Sequence, residues 1–209
     1  MTLTLYTNPM SRGQIARWML EEVGEPYETV ILDFTTGVKS PDYLAINPMG
    51  KVPAIVHDGA VVTECAAICA YLADAFPAAN LAPPPQERSA YYRWLFFAAG
   101  PVESAITNKA LGFVVPDGRE RMAGYGTLDD VLNALEQAVS GEAWICGDQF
   151  TAADVYVGSQ IDWGLAFGTM APRPAFEAYA ARLRTRPAYQ RQKDIDNALI
   201  AQMQSSQPA

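Results

Sequence analysis

Apolar and polar side chains alternate from Leu3 to Tyr6, and the run is β-prone, so a short strand is predicted. After Asn8-Pro9, Ser11 opens a stretch in which Ile15, Trp18, Met19 and Val23 recur at helical spacing until Gly24 stops it. Tyr27–Leu32 reads as a second strand, parallel to the first if the intervening helix is the crossover that a parallel pair requires. Residues 33–50 carry Gly37, Pro41, Pro48 and Gly50 and read as mostly irregular, with a short helix near Pro41–Ile46. Val52–Val56, the turn Asp58-Gly59 and Ala60–Val62 form a hairpin signal, and Thr63-Glu64 leads into a helix through Leu72 that ends near Pro77. The predicted order is β-α-β-(α)-β-β-α. Pro53 breaks the local rule, since a proline inside a strand removes a ladder donor.

Residues 78–86 are proline-rich and read as a stiff linker, and past them β signals vanish. Helices are predicted over about 87–99, 126–139, from Thr151, and over 174–186; Leu128, Val131, Leu132, Leu135 and Val139 share one face of the second. In the first, Tyr91, Tyr92, Trp94, Phe96 and Phe97 are mostly core at this spacing, and Gly100-Pro101 marks a kink or break. The expected domains are an α/β domain at 1–78, a linker at 79–86 and an all-helical domain of four or five helices at 87–209.

Composition narrows the function classes. Half of the 209 residues are hydrophobic and 18% are charged, an ordinary globular balance. The formal net charge of -8 disfavours phosphate backbones and anionic lipid, so neither nucleic acid nor membrane is an expected partner. No stretch of about 20 apolar residues occurs, and the N-terminus lacks the charged and apolar regions of a signal peptide, so a cytoplasmic protein is expected. Cys65, Cys69 and Cys146 read as free thiols in a reducing compartment. Without histidine or further cysteine partners they offer no metal site, and the one histidine, His57, leaves little material for a His-based triad.

Five segments in order carry a resemblance: LYTNPMSRGQIARWMLEEVG, YLAINPMGKVPAI, TECAAICAYLADAFP, GDQFTAADVYV and RLRTRPAYQR. Together they resemble cytosolic glutathione S-transferases of bacterial type over nearly the whole chain. The resemblance implies the glutathione transferase fold: an α/β thioredoxin-like N-terminal domain plus an all-α C-terminal helical domain bearing a hydrophobic substrate pocket. It implies a cis bond at Val52-Pro53, with the Val52 backbone pairing the cysteinyl part of glutathione as an added strand. Glu64 and Cys65 match the acidic residue and serine that hold the γ-glutamyl end at a helix N-terminus; cysteine replaces the usual serine and is a weaker donor. Glu64 also reads as a plain helix cap.

The residue that favours thiolate over thiol sits, in the family, after strand one. Ser11, Asn8 and Tyr6 compete for that role, and Ser11 doubles as an N-cap. No cysteine stands at 8 or 11, which argues against thiol–disulfide exchange by a sulfur of the enzyme's own at this turn. Arg12 and Lys51 are further glutathione-binding candidates or solvated surface charges. Tyr92, Phe96 and Glu103 are the candidates for the electrophile pocket. Thr151-Ala152-Ala153-Asp154 matches the family's helix-capping motif, a folding element rather than chemistry. The implied function is conjugation of glutathione, a co-substrate, to small hydrophobic electrophiles in a homodimeric detoxification enzyme without metal or organic cofactor. Alternatives are a glutathione-dependent isomerase, peroxidase or dehalogenase on this fold, or a non-catalytic binding module.

Overall fold

A computed structural model describes residues 2–205, which fall into two units: 2–79 with 185–205, and Asn80–Arg184. The first unit has a four-stranded sheet in the order β2-β1-β3-β4, with β1 at Leu3–Thr7, β2 at Glu28–Ile31, β3 at Ala54–His57 and β4 at Ala60–Thr63. Strand β1 is parallel to β2 and antiparallel to β3, and β3 is antiparallel to β4; Leu5 stands opposite Thr29 on one side and Ile55 on the other. The parallel pair is joined by helix α1, Gly13–Val23, which ends on Gly24 at φ 79°, its N–H bonded to the Leu20 carbonyl. That conformation favours glycine. Helix α2, Pro41–Ile46, begins with Ser40 accepting from the Tyr43 N–H, and helix α3 spans Cys65–Ala75.

Strand β1 buries Leu3, Leu5 and Thr7 by alternation, and Ile15, Met19, Ile68 and Leu72 are buried on α1 and α3. Tyr6, Leu32, Ile46 and Val52 pack around a smaller cluster of Val38, Tyr43 and Ala54. The third strand begins at Ala54 rather than Val52, so Pro53 lies just outside the ladder and the proline rule is kept.

The second unit contains, among the described residues, α4 (Ser89–Phe97), α5 (Glu103–Leu111), α6 (Leu128–Val139), α7 (Ala152–Ala166) and α8 (Pro174–Arg184). Between α4 and α5 the chain keeps coiling through a π-helical turn, Ala98–Val102, that contains Pro101. The expected kink or break is therefore a widened turn, which absorbs the proline without ending the helix. Tyr91, Trp94 and Leu95 are buried, while Tyr92 and Phe96 are not.

Thr151 and Asp154 form the cap of α7. The Thr151 N–H and hydroxyl donate to one Asp154 carboxylate oxygen at 2.8 and 3.0 Å, and the Ile145 N–H and Tyr179 hydroxyl donate to the other at 2.9 and 2.5 Å. Burial pushes the Asp154 carboxyl up, and these donors oppose the shift. Asp154→Ala would strand several buried donors, so a loss of about 2–4 kcal/mol is expected in urea unfolding.

The last helix, α9, Pro187–Ser205, packs on α1 within the first unit. The helical half is thus divided differently from the sequence boundary at 87–209. The residues α9 buries are Ala188, Gln192 and Asp196, a small-and-polar stripe at helical spacing that gives no apolar periodicity to detect.

Candidate functional site

The turn between β1 and α1 is organised by Asn8, which is 1% exposed. The Leu32 N–H donates to the Thr7 carbonyl at 2.8 Å, and the Asn8 amide donates to the Leu32 carbonyl at 2.8 Å, so a side chain supplies the next rung of the β1–β2 ladder. The other end of the amide accepts the Met10 N–H at 2.9 Å, an Asx turn around Pro9. The Asn8 carbonyl then receives the Ser11 N–H at 3.1 Å and the Ser11 hydroxyl at 2.7 Å. Half-buried Ser11 in turn accepts the Gly13 N–H at 2.9 Å, satisfying one of the orphan donors at the start of α1. Gly13 is packed so closely that a Cβ there would lie 1.8 Å from the Thr7 hydroxyl oxygen and 3.0 Å from that of Ser11.

Tyr6 lies on β1 with its ring 5.7 Å from that of Tyr43, in the cluster that includes Val52. The Val52-Pro53 bond is cis. The Lys51 carbonyl just before it is held by the Tyr43 hydroxyl at 2.5 Å and the Asn47 amide at 2.9 Å. Burial pushes the Tyr43 phenol up to about 12, so it remains a neutral donor at ordinary pH. The backbone N–H and C=O of Val52 meet no hydrogen-bond partner among the described residues. Val52 is therefore a short extended segment, anchored at one side, with main-chain groups unused by the fold. Lys51 is exposed, as is Arg12 at the head of α1.

Glu64 precedes α3 with φ 65° and ψ 121° and is exposed. Such backbone conformations are costly for a residue with a Cβ and concentrate at ligand clamps. Cys65 follows, 8% exposed, and its thiol donates to the Arg12 carbonyl at 3.5 Å. This side chain thus ties the head of α3 to the first turn. Cys69, one turn on, is buried, which pushes its thiol well up, with Cys65 adding to the shift.

Three stretches of the first unit thus carry the candidates: Asn8–Gly13, Lys51–Pro53 and Glu64-Cys65. Residues 1–74 match the family description "Glutathione S-transferase, N-terminal domain", and residues 102–187 match "Glutathione S-transferase, C-terminal domain". The chain is 31% identical over 171 residues to glutathione S-transferase GstA of Escherichia coli O157:H7, covering 78% of this chain and 83% of that one. This protein belongs to the glutathione S-transferase family. It is also 27% identical over 200 residues to the disulfide-bond oxidoreductase YfcG of Escherichia coli K12, covering 89% of this chain and 92% of that one. Among solved structures it resembles a sphingomonad glutathione S-transferase complexed with glutathione, with TM-score 0.76 and 29% identity, covering 93% of this chain and 98% of that one.

In this member of the family the second unit holds the remaining candidates. Tyr92 on α4 is 45% exposed and its hydroxyl lies 3.4 Å from the Arg88 guanidinium; Phe96 is 73% exposed. Glu103, at the start of α5, accepts from Thr107 at 3.3 Å and Gln160 at 3.2 Å. No described helix is long and apolar enough to cross a membrane. Thr7, Gly13, Tyr43 and Asn47 help shape the site, and the sequence reading did not single them out. Asn47 and Gly13 stand in the quoted family segments, but only the fold shows that they hold the Lys51 carbonyl and admit the Ser11 turn.

Proposed function

We propose that this protein conjugates the thiolate of glutathione to small hydrophobic electrophiles, with Ser11 as the hydroxyl donor to the sulfur. The observation that carries the choice is the geometry of the first turn. Asn8 spends both ends of its amide on the fold, and Tyr6 packs in the α2 cluster, whereas the Ser11 hydroxyl needs only a rotation about its C–O bond to turn its proton from the Asn8 carbonyl to a bound sulfur. The Gly13 N–H remains on the Ser11 oxygen throughout and polarises it.

In this reading the cysteinyl main chain pairs with Val52, and the γ-glutamyl carboxylate meets the head of α3. Glu64 faces the α-ammonium, while Arg12 and Lys51 serve the remaining carboxylate charge. Pro53 closes the strand register beside the ligand. The apolar co-substrate lies against Tyr92, Phe96 and Glu103. A neutral carbon electrophile receives the sulfur lone pair and its leaving group departs, so the step needs no metal and no organic cofactor. A detoxifying, cytoplasmic homodimer belongs to the same proposal, and three cysteines outside any disulfide fit its reducing compartment. Similarity to a protein named as a disulfide-bond oxidoreductase supports a second reading, reduction of a disulfide by the same bound thiolate.

Calorimetric titration with glutathione, and with an analogue lacking the α-ammonium, tests the binding mode. Glu64→Gln is expected to weaken glutathione about tenfold and to leave the analogue unchanged. Equal losses for both ligands, or no heat of binding by the wild-type protein, would contradict the proposal.

A further inference from the structure

The closing segment RLRTRPAYQR and the helix that follows have no place in the chemistry so far, yet they meet α1 along one continuous face. Gln14, Arg17, Trp18, Glu21 and Glu22 recur at helical spacing, and each has a partner on α9 or just before it. Gln14 meets Lys193, Arg17 meets Asp196, Trp18 meets Tyr189, Glu21 meets Arg191 and Glu22 meets Arg186. Across the set the partners move from Lys193 and Asp196 at the start of α1 back to Arg186 at its end, so the helices run antiparallel. Lys193, which is partly buried, is thereby delivered to the end of α1 that follows the Ser11 turn.

There the contacts form a chain into the turn. The Lys193 ammonium donates to the Gln14 side-chain oxygen at 3.1 Å, and the Gln14 side-chain nitrogen donates to the Pro9 carbonyl at 2.6 Å. An ammonium has only donors and a carbonyl only acceptors, so the two partners together select one orientation of the amide. The Pro9 carbonyl belongs to the peptide that leads into Met10 and Ser11. Its neighbours are held too: the Asn8 amide is fixed to the sheet, and the Arg12 carbonyl is met by Cys65. Gln14 supplies the tie at the centre of the turn, and Met10 beside it is 51% exposed, so packing there does little of that work.

We propose that Lys193 is a positioning residue of the sulfur site: acting through Gln14, the C-terminal helix orients the turn that presents Ser11. The inference rests on the reading of Ser11 as the thiol donor. Its neighbours define the alternative, a purely structural role, because Lys193 also stands 5.4 Å from the Tyr189 ring and lends charge to Asp196.

The full-length protein with Lys193→Met, Lys193→Arg, Gln14→Met and the Lys193→Met/Gln14→Met pair separates the two. The readouts are kcat and KM for glutathione with an aryl halide electrophile, the pH titration of bound thiolate by ultraviolet absorbance, and Tm. Lys193→Met is expected to lower kcat about tenfold with KM within about twofold, and to raise the pKa of the bound thiol. Lys193→Arg restores most of both, and the double variant is no worse than the worse single one. A fall in Tm with kcat and the thiol titration unchanged would overturn the inference while the Ser11 reading stands. If wild type itself fails to lower the thiol pKa, that reading fails and the inference with it.

Discussion

Ser11→Ala is expected to lower kcat/KM for conjugation about a hundredfold while glutathione affinity changes by less than about threefold. The hydroxyl meets the sulfur as charge develops on it, and loss of one such oriented donor costs about that much in rate. Binding is spared because the Val52 main chain and the head of α3 are untouched by the substitution. The variant should remain folded. Ser11 gives up one hydroxyl bond to the Asn8 carbonyl and one contact from the Gly13 N–H, but Asn8 keeps its own ties to Leu32 and Met10. Steady-state kinetics beside calorimetry decides the matter. Equal losses in affinity and turnover would instead mark Ser11 as a helix cap that shapes the site without touching sulfur.

Arg17→Met should lose about 3–5 kcal/mol of stability, measured by urea unfolding at pH 8. Arg17 is 2% exposed and donates to the buried Asp196 carboxylate at 2.9 Å, as well as to Tyr27 and Thr29 at 3.2 Å. Removing the cation leaves Asp196 with the Gln192 amide at 2.7 Å and the charge of Lys193 nearby. Burial already pushes the Asp196 carboxyl up, with Gln192 and Arg17 opposing it, and losing Arg17 raises it further. A carboxyl raised in the folded state contributes stability that is full below its unfolded value and is lost as pH rises through the folded one. The defect of Arg17→Met should therefore shrink as pH falls from 8 towards the acid range. Arg17→Met with Asp196→Leu should recover part of the loss, because both charges are then absent. A defect independent of pH would show that lost packing, not the stranded carboxylate, is responsible.

Both predictions concern one helix, and its two faces differ in how openly the sequence announces them. The face towards the sheet is carried by Ile15 and Met19, whose spacing predicts a helix without any structure. Gly24 marks its end and takes the left-handed conformation that a glycine permits. The other face carries Gln14, Arg17, Glu21 and Glu22, and the segment they meet is about 170 residues away along the chain. That partner helix was itself hidden, since its buried stripe is Ala188, Gln192 and Asp196. Periodicity detects apolar stripes, and a polar interface emerges only when both sides are in place.

The candidate site divides along similar lines. Pro53 was visible as a departure from the strand rule, and Glu64 as the acidic residue of a family segment that also reads as a helix cap. The structure shows a cis bond at the first and a positive φ at the second. The direction of the Asn8 amide, on which the proposed preference for Ser11 rests, was not legible, because its partner is the main-chain carbonyl of Leu32. The inward direction of the Cys65 thiol was hidden for the same reason: its acceptor is the main chain of Arg12. Gly100-Pro101, expected as a kink or break, is a widened turn that carries the helix through.

The central claim is that Ser11 favours the thiolate of bound glutathione, and the titration of that thiolate with pH tests it most directly. Ultraviolet absorbance of the complex, recorded from about pH 5 to 10 for the wild-type protein and for Ser11→Ala, reports the thiol pKa in each. The account predicts a value clearly below the roughly 8.5 of a free cysteine thiol in the wild type, and a return towards it in the variant. The same titration curve in both proteins would contradict it.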